Sequence, residues 1–132
     1  MDFVSIRIIT GDVARLVDFY ERATGVEAKR YSEDFAELRT ASATLAIGST
    51  RTVPFLASGA ARPAGDQRVI IEFLVDDVDG VYRKLSGFVE EFVQEPTTMP
   101  WGNRSLLLPD PDGNLVNFFT PVSPAAIEKF AR

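Results

Sequence analysis

Three polar side chains interrupt stretches that otherwise read as buried strand: Arg7 in VSIRII, Glu72 in VIIEFLV and Asn117 in LVNFF. Arg7 and Glu72 lie 65 residues apart (72 − 7), the spacing of a repeat described below. Side by side they would anchor a polar ligand group, or Glu72 would serve as a general base in a desolvated interior. The competing reading is that they neutralise each other, as buried charges must. Asn117 would donate to a ligand, or to a backbone group or Ser5 across strands. Trp101 could stack on a planar ligand at the rim of a site or fill an interface, and Phe55, Phe92 and Phe119 suit a pocket wall or a core. Gly102 and Gly113 read as turn glycines, because no glycine-rich loop opens a helix.

What must position these residues is legible in the periodicity. Val4, Ile6 and Ile8 alternate with Ser5 and Arg7, the period of a half-buried strand whose apolar face packs on the following helix. Asp12 caps that helix, Val13, Leu16, Val17, Tyr20 and Ala23 form its stripe, and Gly25 ends it. Strands follow at about 26–31, 35–39 and 44–48. The segment 58–67, SGAARPAGDQ, reads as a linker. The pattern then restarts, with Val69 to Val75 alternating, Asp77 as cap, Val78, Val81, Tyr82 and Leu85 as stripe, and Gly87 as stop. The 65-residue offset carries Asp12 onto Asp77, Val13 onto Val78, Leu16 onto Val81, Ile6 onto Ile71 and Ile8 onto Phe73. A strand is expected over 88–94. The stretch from Pro100 to Pro121 then reads as a hairpin turning on Pro109-Asp110-Pro111-Asp112-Gly113-Asn114. Ser123 and Pro124 open a short terminal helix with Ile127 and Phe130 as its apolar stripe, a lid or a dimer contact.

At 132 residues the chain is long enough for one compact core, so a single domain over 1–132 is expected. Its modules span about 1–57 and 68–121, with the helix at 123–131. With no His and no Cys, the commonest transition-metal ligands and the commonest base at neutral pH are missing. A net charge of −5 without a Lys/Arg cluster argues against a nucleic-acid partner and suits cationic or neutral small molecules, though solubility alone would also produce it. No run reaches membrane-spanning length, and Asp2, Ser5 and Arg7 interrupt the first apolar run, so a cytoplasmic protein without membrane contact is expected.

The repeated βαβββ unit, the openings IRIITGDV and IEFLVDDVD, and the ending DPDGNLVN together resemble the vicinal oxygen chelate superfamily. That group includes glyoxalase I, extradiol dioxygenases and bleomycin resistance proteins, and Trp101-Gly102-Asn103-Arg104 before Asp110 to Asn114 resembles the bleomycin-binding branch. The resemblance covers nearly the whole chain. It implies an α+β fold in which two βαβββ modules form a curved mixed sheet, a cup, with helices on the outer face. It also implies a homodimer, because open sheet edges are closed by pairing chains. In metal-dependent members, side chains on the first and last strand of each module hold a divalent ion; those positions fall here on Ser5, Ala46, Ile70 and Asn117. Two of the four have no donor atom, and a hydroxyl with a neutral amide cannot hold the ion. Even a register slip that brought in Glu72 would add a single acid.

The expectation is therefore a protein without metal or cofactor that binds a small organic molecule, an antibiotic among the candidates, with Ser5, Arg7, Ile70, Glu72, Trp101, Arg104, Asn117 and Phe119 as ligand-binding residues. The alternatives are a metal-independent isomerase or lyase using Glu72 as catalytic base, a lyase or dioxygenase-like enzyme with an unrecognised metal site, and a ligand-free interaction module.

Overall fold

A computed structural model of the chain describes residues 3–55 and 70–131. It is α+β and divides into two compact units, 1–66 and 67–132, each built as βαβββ. The division falls in the segment read as a linker, 58–67, which lies outside the described residues.

The first module runs β1 (Ser5–Thr10), α1 (Val13–Thr24), β2 (Lys29–Ser32), β3 (Phe35–Arg39) and β4 (Thr44–Ser49), then a 3-10 turn, Thr50–Phe55, that the periodicity did not foreshadow. The helix starts where Asp12 accepts a hydrogen bond from the Arg15 amide (3.0 Å), satisfying one of the four orphan donors of a helix start. It stops at Gly25, whose φ of 75° lets its amide turn back to the Glu21 carbonyl. Its buried stripe of Val13, Leu16, Val17, Tyr20 and Ala23 packs on Ala36 and Leu38 of β3 and Leu45 and Ile47 of β4. Each fully buried Val, Leu or Ile among them contributes about 1.5–3 kcal/mol relative to exposure. The sheet order is β1-β4-β3-β2, with β1 parallel to β4 and the other pairs antiparallel. Val4, expected on the core face, instead precedes β1 and is exposed, so Ile6, Ile8 and Thr10 make up that face.

The second module repeats the plan: β5 (Ile70–Leu74), α2 (Val78–Leu85), β6 (Gln94–Thr98), β7 (Asn103–Pro109) and β8 (Leu115–Pro121), in the order β5-β8-β7-β6. The repeat extends to the backbone, since the two caps share one conformation: φ −143° and ψ 89° at Asp12, φ −143° and ψ 90° at Asp77. Asp77 accepts from the Gly80 amide as Asp12 does from that of Arg15. Val78 and Leu85 seal the helix onto Leu106, Leu108, Val116 and Phe118.

Two expectations are corrected here. The strand read over 88–94 begins only at Gln94, because Phe88 and Val89 donate to the Leu85 carbonyl and Phe92 returns to pack on Tyr82, ring centroids 5.0 Å apart. The residues are apolar because they finish the helix, not because they alternate in a sheet. In the terminal helix α3 (Pro124–Lys129), Ser123 caps as expected, but Ile127 is exposed, and Ala126 and Phe130 make the inward contacts.

Candidate functional site

α1 and α2 each cover one face of their own sheet, and the strand registers decide which side chains share the opposite, open face. In the first module, Arg7 lies beside Ala46, Ala46 beside Glu37, and Glu37 beside Lys29. The neighbouring rows place Ser5, Thr44 and Arg39 together on one side, and Ile9, Gly48 and Phe35 on the other. Gly48 has a specific use. A Cβ there would stand 3.1 Å from Thr52 Oγ1, a tight contact, and in ordinary van der Waals contact with the Phe35 ring (3.6 Å) and Arg7 Cδ (3.8 Å), so the missing side chain is what gives the Thr52 hydroxyl its room. The Arg7 guanidinium carbon comes to rest 4.9 Å from the centroid of Phe35. Tyr31 donates its hydroxyl to Glu37 (2.9 Å), and Lys29 Nζ stands 4.9 Å from the centre of the Tyr31 ring.

In the second module the equivalent row is Glu72, Asn117, Leu107 and Gln94. Asn117 Nδ2 donates to Glu72 Oε2 at 2.8 Å. Asn117 Oδ1 is buried and finds no donor among the described residues, and the same holds for Asn103 Oδ1 at the edge of this face. A buried acceptor without a donor costs about 1–3 kcal/mol, so these atoms call for a partner. At the far end of the face, α3 lies over the sheet: Phe130 packs edge-on against Phe119, centroids 5.0 Å apart, and the Ser123 hydroxyl caps the helix. An open groove of about 510 Å³, lined by Leu74, Val75, Asp76 and Phe130, borders this contact but takes in neither Glu72 nor Asn117.

The predicted binding residues thus separate. Glu72 and Asn117 are brought together, with Ile70 one row away on the same face and half exposed. Phe119 shares that face but is buried beneath Phe130, so it is a wall rather than a contact surface. Trp101 sits 64 % exposed in the turn between β6 and β7. Arg104 belongs to the opposite face. It pairs across the sheet with Thr120, and its Nε and Nη2 grip both oxygens of Asp79 on α2 at 2.9 and 3.0 Å. Those hydrogen bonds, with charge attraction added, hold the Asp79 carboxyl below its ordinary value, and Arg104 is committed to the sheet–helix junction. Ser5 and Arg7 are exposed on the first module's face. Arg7 and Glu72 each have a partner within their own module, Phe35 and Asn117, and Glu72 is exposed rather than desolvated.

The sequence reading missed Phe35, Glu37, Arg39 and Lys29 on one face and Gln94, Ser105 and Leu107 on the other. The alternation of β3, FAELR, was the signal available for the first group. Phe55 lies among residues whose side chains fall outside the described set.

A divalent ion does not fit the positions at which this kind of fold would hold one. Ala46 and Ile70 offer no donor atom, and the register puts the Arg7 cation beside Ala46. It sets Ser5 opposite Thr44 and Ile70 opposite Leu115, so Asn117 meets Glu72 two positions along. Among the described residues no three of His, Cys, Asp and Glu gather, and one carboxylate with one amide falls short of the oxygen-rich shell that a hard cation requires.

Solved structures share this architecture. A glyoxalase/bleomycin resistance protein/dioxygenase from Nocardioides is 21% identical with a TM-score of 0.76, covering 94% of this chain and 85% of its own. A family enzyme of the same description from Burkholderia phytofirmans PsJN is 18% identical with a TM-score of 0.79, covering 92% of this chain and all of its own (100%). A lactoylglutathione lyase from Agrobacterium tumefaciens is 16% identical with a TM-score of 0.71, covering 89% and 92%. At these identities the likeness speaks for the fold. No curated protein matches the sequence. The family profile, however, matches residues 2–118, nearly the full length of both modules, and on that match the chain belongs to the Glyoxalase/Bleomycin resistance protein/Dioxygenase superfamily.

Proposed function

We propose that this protein binds a small organic molecule on the open face of its second module without the help of a metal ion. The observation that carries the reading is the Glu72–Asn117 pair: a carboxylate held by one amide nitrogen, beside a buried amide oxygen that has no donor among the described residues. The exposed Glu72 carboxylate presents an acceptor, so the matching ligand brings N–H or O–H donors, and an amine or amidine fits better than a carboxylate. Leu107, next in the row, gives the ligand an apolar floor. An antibiotic carrying a cationic amidine or amine group has this chemistry. Binding of this kind needs no titrating residue.

A second reading, a metal-independent isomerase or lyase, is favoured by one feature. Glu72 Oε1 makes no hydrogen bond among the described residues, so a proton acceptor stands exposed on the sheet. The structural relative from Agrobacterium tumefaciens is itself a lyase.

A thermal-shift screen against cationic glycopeptides, flavonoids and thiol conjugates, with and without Zn, Ni, Mn and Fe salts, tests both. A ligand at about 100 times its Kd adds about 2.7 kcal/mol of stability. The expected hit carries N–H donors and needs no metal. Glu72→Gln is expected to change stability by less than about 1 kcal/mol, since the carboxylate is exposed, and to abolish that shift. A shift that appears only with a divalent metal would sink the metal-free reading. Turnover of the hit, lost in Glu72→Gln while binding persists, would favour the enzyme.

A further inference from the structure

We propose that the open face of the first module is an anion subsite, with Arg7 taking a carboxylate, or a planar oxyanion like it, that is attached to a flat apolar body. The inference rests on different residues from the Glu72–Asn117 pair and stands or falls apart from it.

Three observations carry it. The Arg7 guanidinium carbon lies over the Phe35 ring, 4.9 Å from its centroid, and among the described residues the guanidinium makes no hydrogen bond, so its N–H donors are unspent. Among the described residues no carboxylate lies within ion-pair distance of Arg7, whereas Arg22, Arg30, Arg51, Arg83 and Arg104 each have one. The acid nearest along its row, Glu37, lies beyond Ala46, about 10 Å away at two strand spacings, and is engaged by the Tyr31 hydroxyl. Finally, the face is cationic in a chain of net charge −5: Arg7, Arg39 and Lys29 share it with a single acid, Glu37.

The geometry has a built character. Arg7 runs beside Ala46 and Gly48, two small buried residues of β4, and its guanidinium ends beside the Phe35 ring. A guanidinium held this way has lost part of its rotamer freedom before any ligand arrives, which lowers the entropic cost of forming two parallel N–H···O bonds. A carboxylate completes the fork, and a flat apolar body attached to it lies along Phe35, whose ring edge, with Thr52 and Arg7, already covers the buried Gly48. A lysine at the position would supply charge without the fork or the stack.

Titration of the whole chain with sodium benzoate, benzamide and benzamidine, followed by amide and arginine side-chain NMR, tests this. Benzoate is expected to move the Arg7 Nε–H, Gly48 and Phe35 signals in 150 mM salt, and benzamide and benzamidine to leave them in place. Arg7→Met is expected to weaken benzoate by about ten-fold or more, and Arg7→Lys to recover only part of it. Arg7 is exposed, so both variants should melt close to the wild type, which separates loss of the site from loss of the fold. Equal responses to benzoate and benzamide, a response confined to low salt, or full benzoate affinity in Arg7→Met would each overturn the proposal.

Discussion

Asp110 holds the loop between β7 and β8 almost alone. It is buried, and one oxygen accepts from the amides of Asp112 (2.9 Å) and Asn114 (2.8 Å) while the other accepts from the Asn114 side chain (2.7 Å). Gly113, at φ 86°, completes the reversal by donating to the Asp110 carbonyl. Asp110→Ala would strand the Asn114 donors in a buried setting, and a loss of about 3 kcal/mol is expected from the denaturant midpoint. The loop also spaces β8 so that Asn117 stands beside Glu72. A secondary loss of whatever binding Glu72→Gln abolishes should therefore accompany it. At this scale the sequence was readable in part. The turn chemistry of DPDGN is local, so it could be recognised from residue types. That Arg104 faces α2 while Asn117 faces away could not, since both are polar residues in apolar strands and only the register tells the faces apart.

Among the elements, α3 shows the closest dependence on one position. Gly102, at φ 94° in the turn between β6 and β7, lies against the start of that helix, and its carbonyl accepts from the amides of Val122 and Ser123. A Cβ at Gly102 would collide with the Ser123 side chain and come within 3.2 Å of Ala126 Cβ, in a backbone region that L-residues rarely adopt. Gly102→Ala is expected to cost about 2–4 kcal/mol, seen as a lower Tm, and to loosen the Phe130–Phe119 contact, seen as faster amide exchange in 124–130. An unchanged melting curve would show that α3 shifts without strain. The edge strand β6 shows the limit of periodicity as a guide. An edge strand with Pro96 in it buries little and need not alternate, so the apolar run before it, which seals α2, drew the expected strand too early.

Across the molecule, the repeat produces two sheets of one topology whose open faces differ in charge: cationic with one acid in the first module, a lone acid with amides in the second. The edge strands β2 and β6 each pair on one side within their own sheet. We propose that the chain closes such edges by forming a homodimer, and sedimentation equilibrium at micromolar concentration is expected to give twice the 14.5 kDa chain mass. A monomer persisting at high concentration would exclude it.

The sequence by itself determined the βαβββ repeat, the caps at Asp12, Asp77 and Ser123, and the turn at Asp110 to Asn114. All of these follow from contacts a few residues apart and from one periodicity seen twice. Tertiary structure decided what those elements do with their polar side chains. It gave Arg7 to Phe35 over Gly48, Glu72 to Asn117, Arg104 to Asp79 and Phe119 to Phe130. Each depends on which face of its sheet the strand residue takes, set by a strand register that moves a side chain to the opposite face when it slips by one residue, and local residue types carry no record of that register.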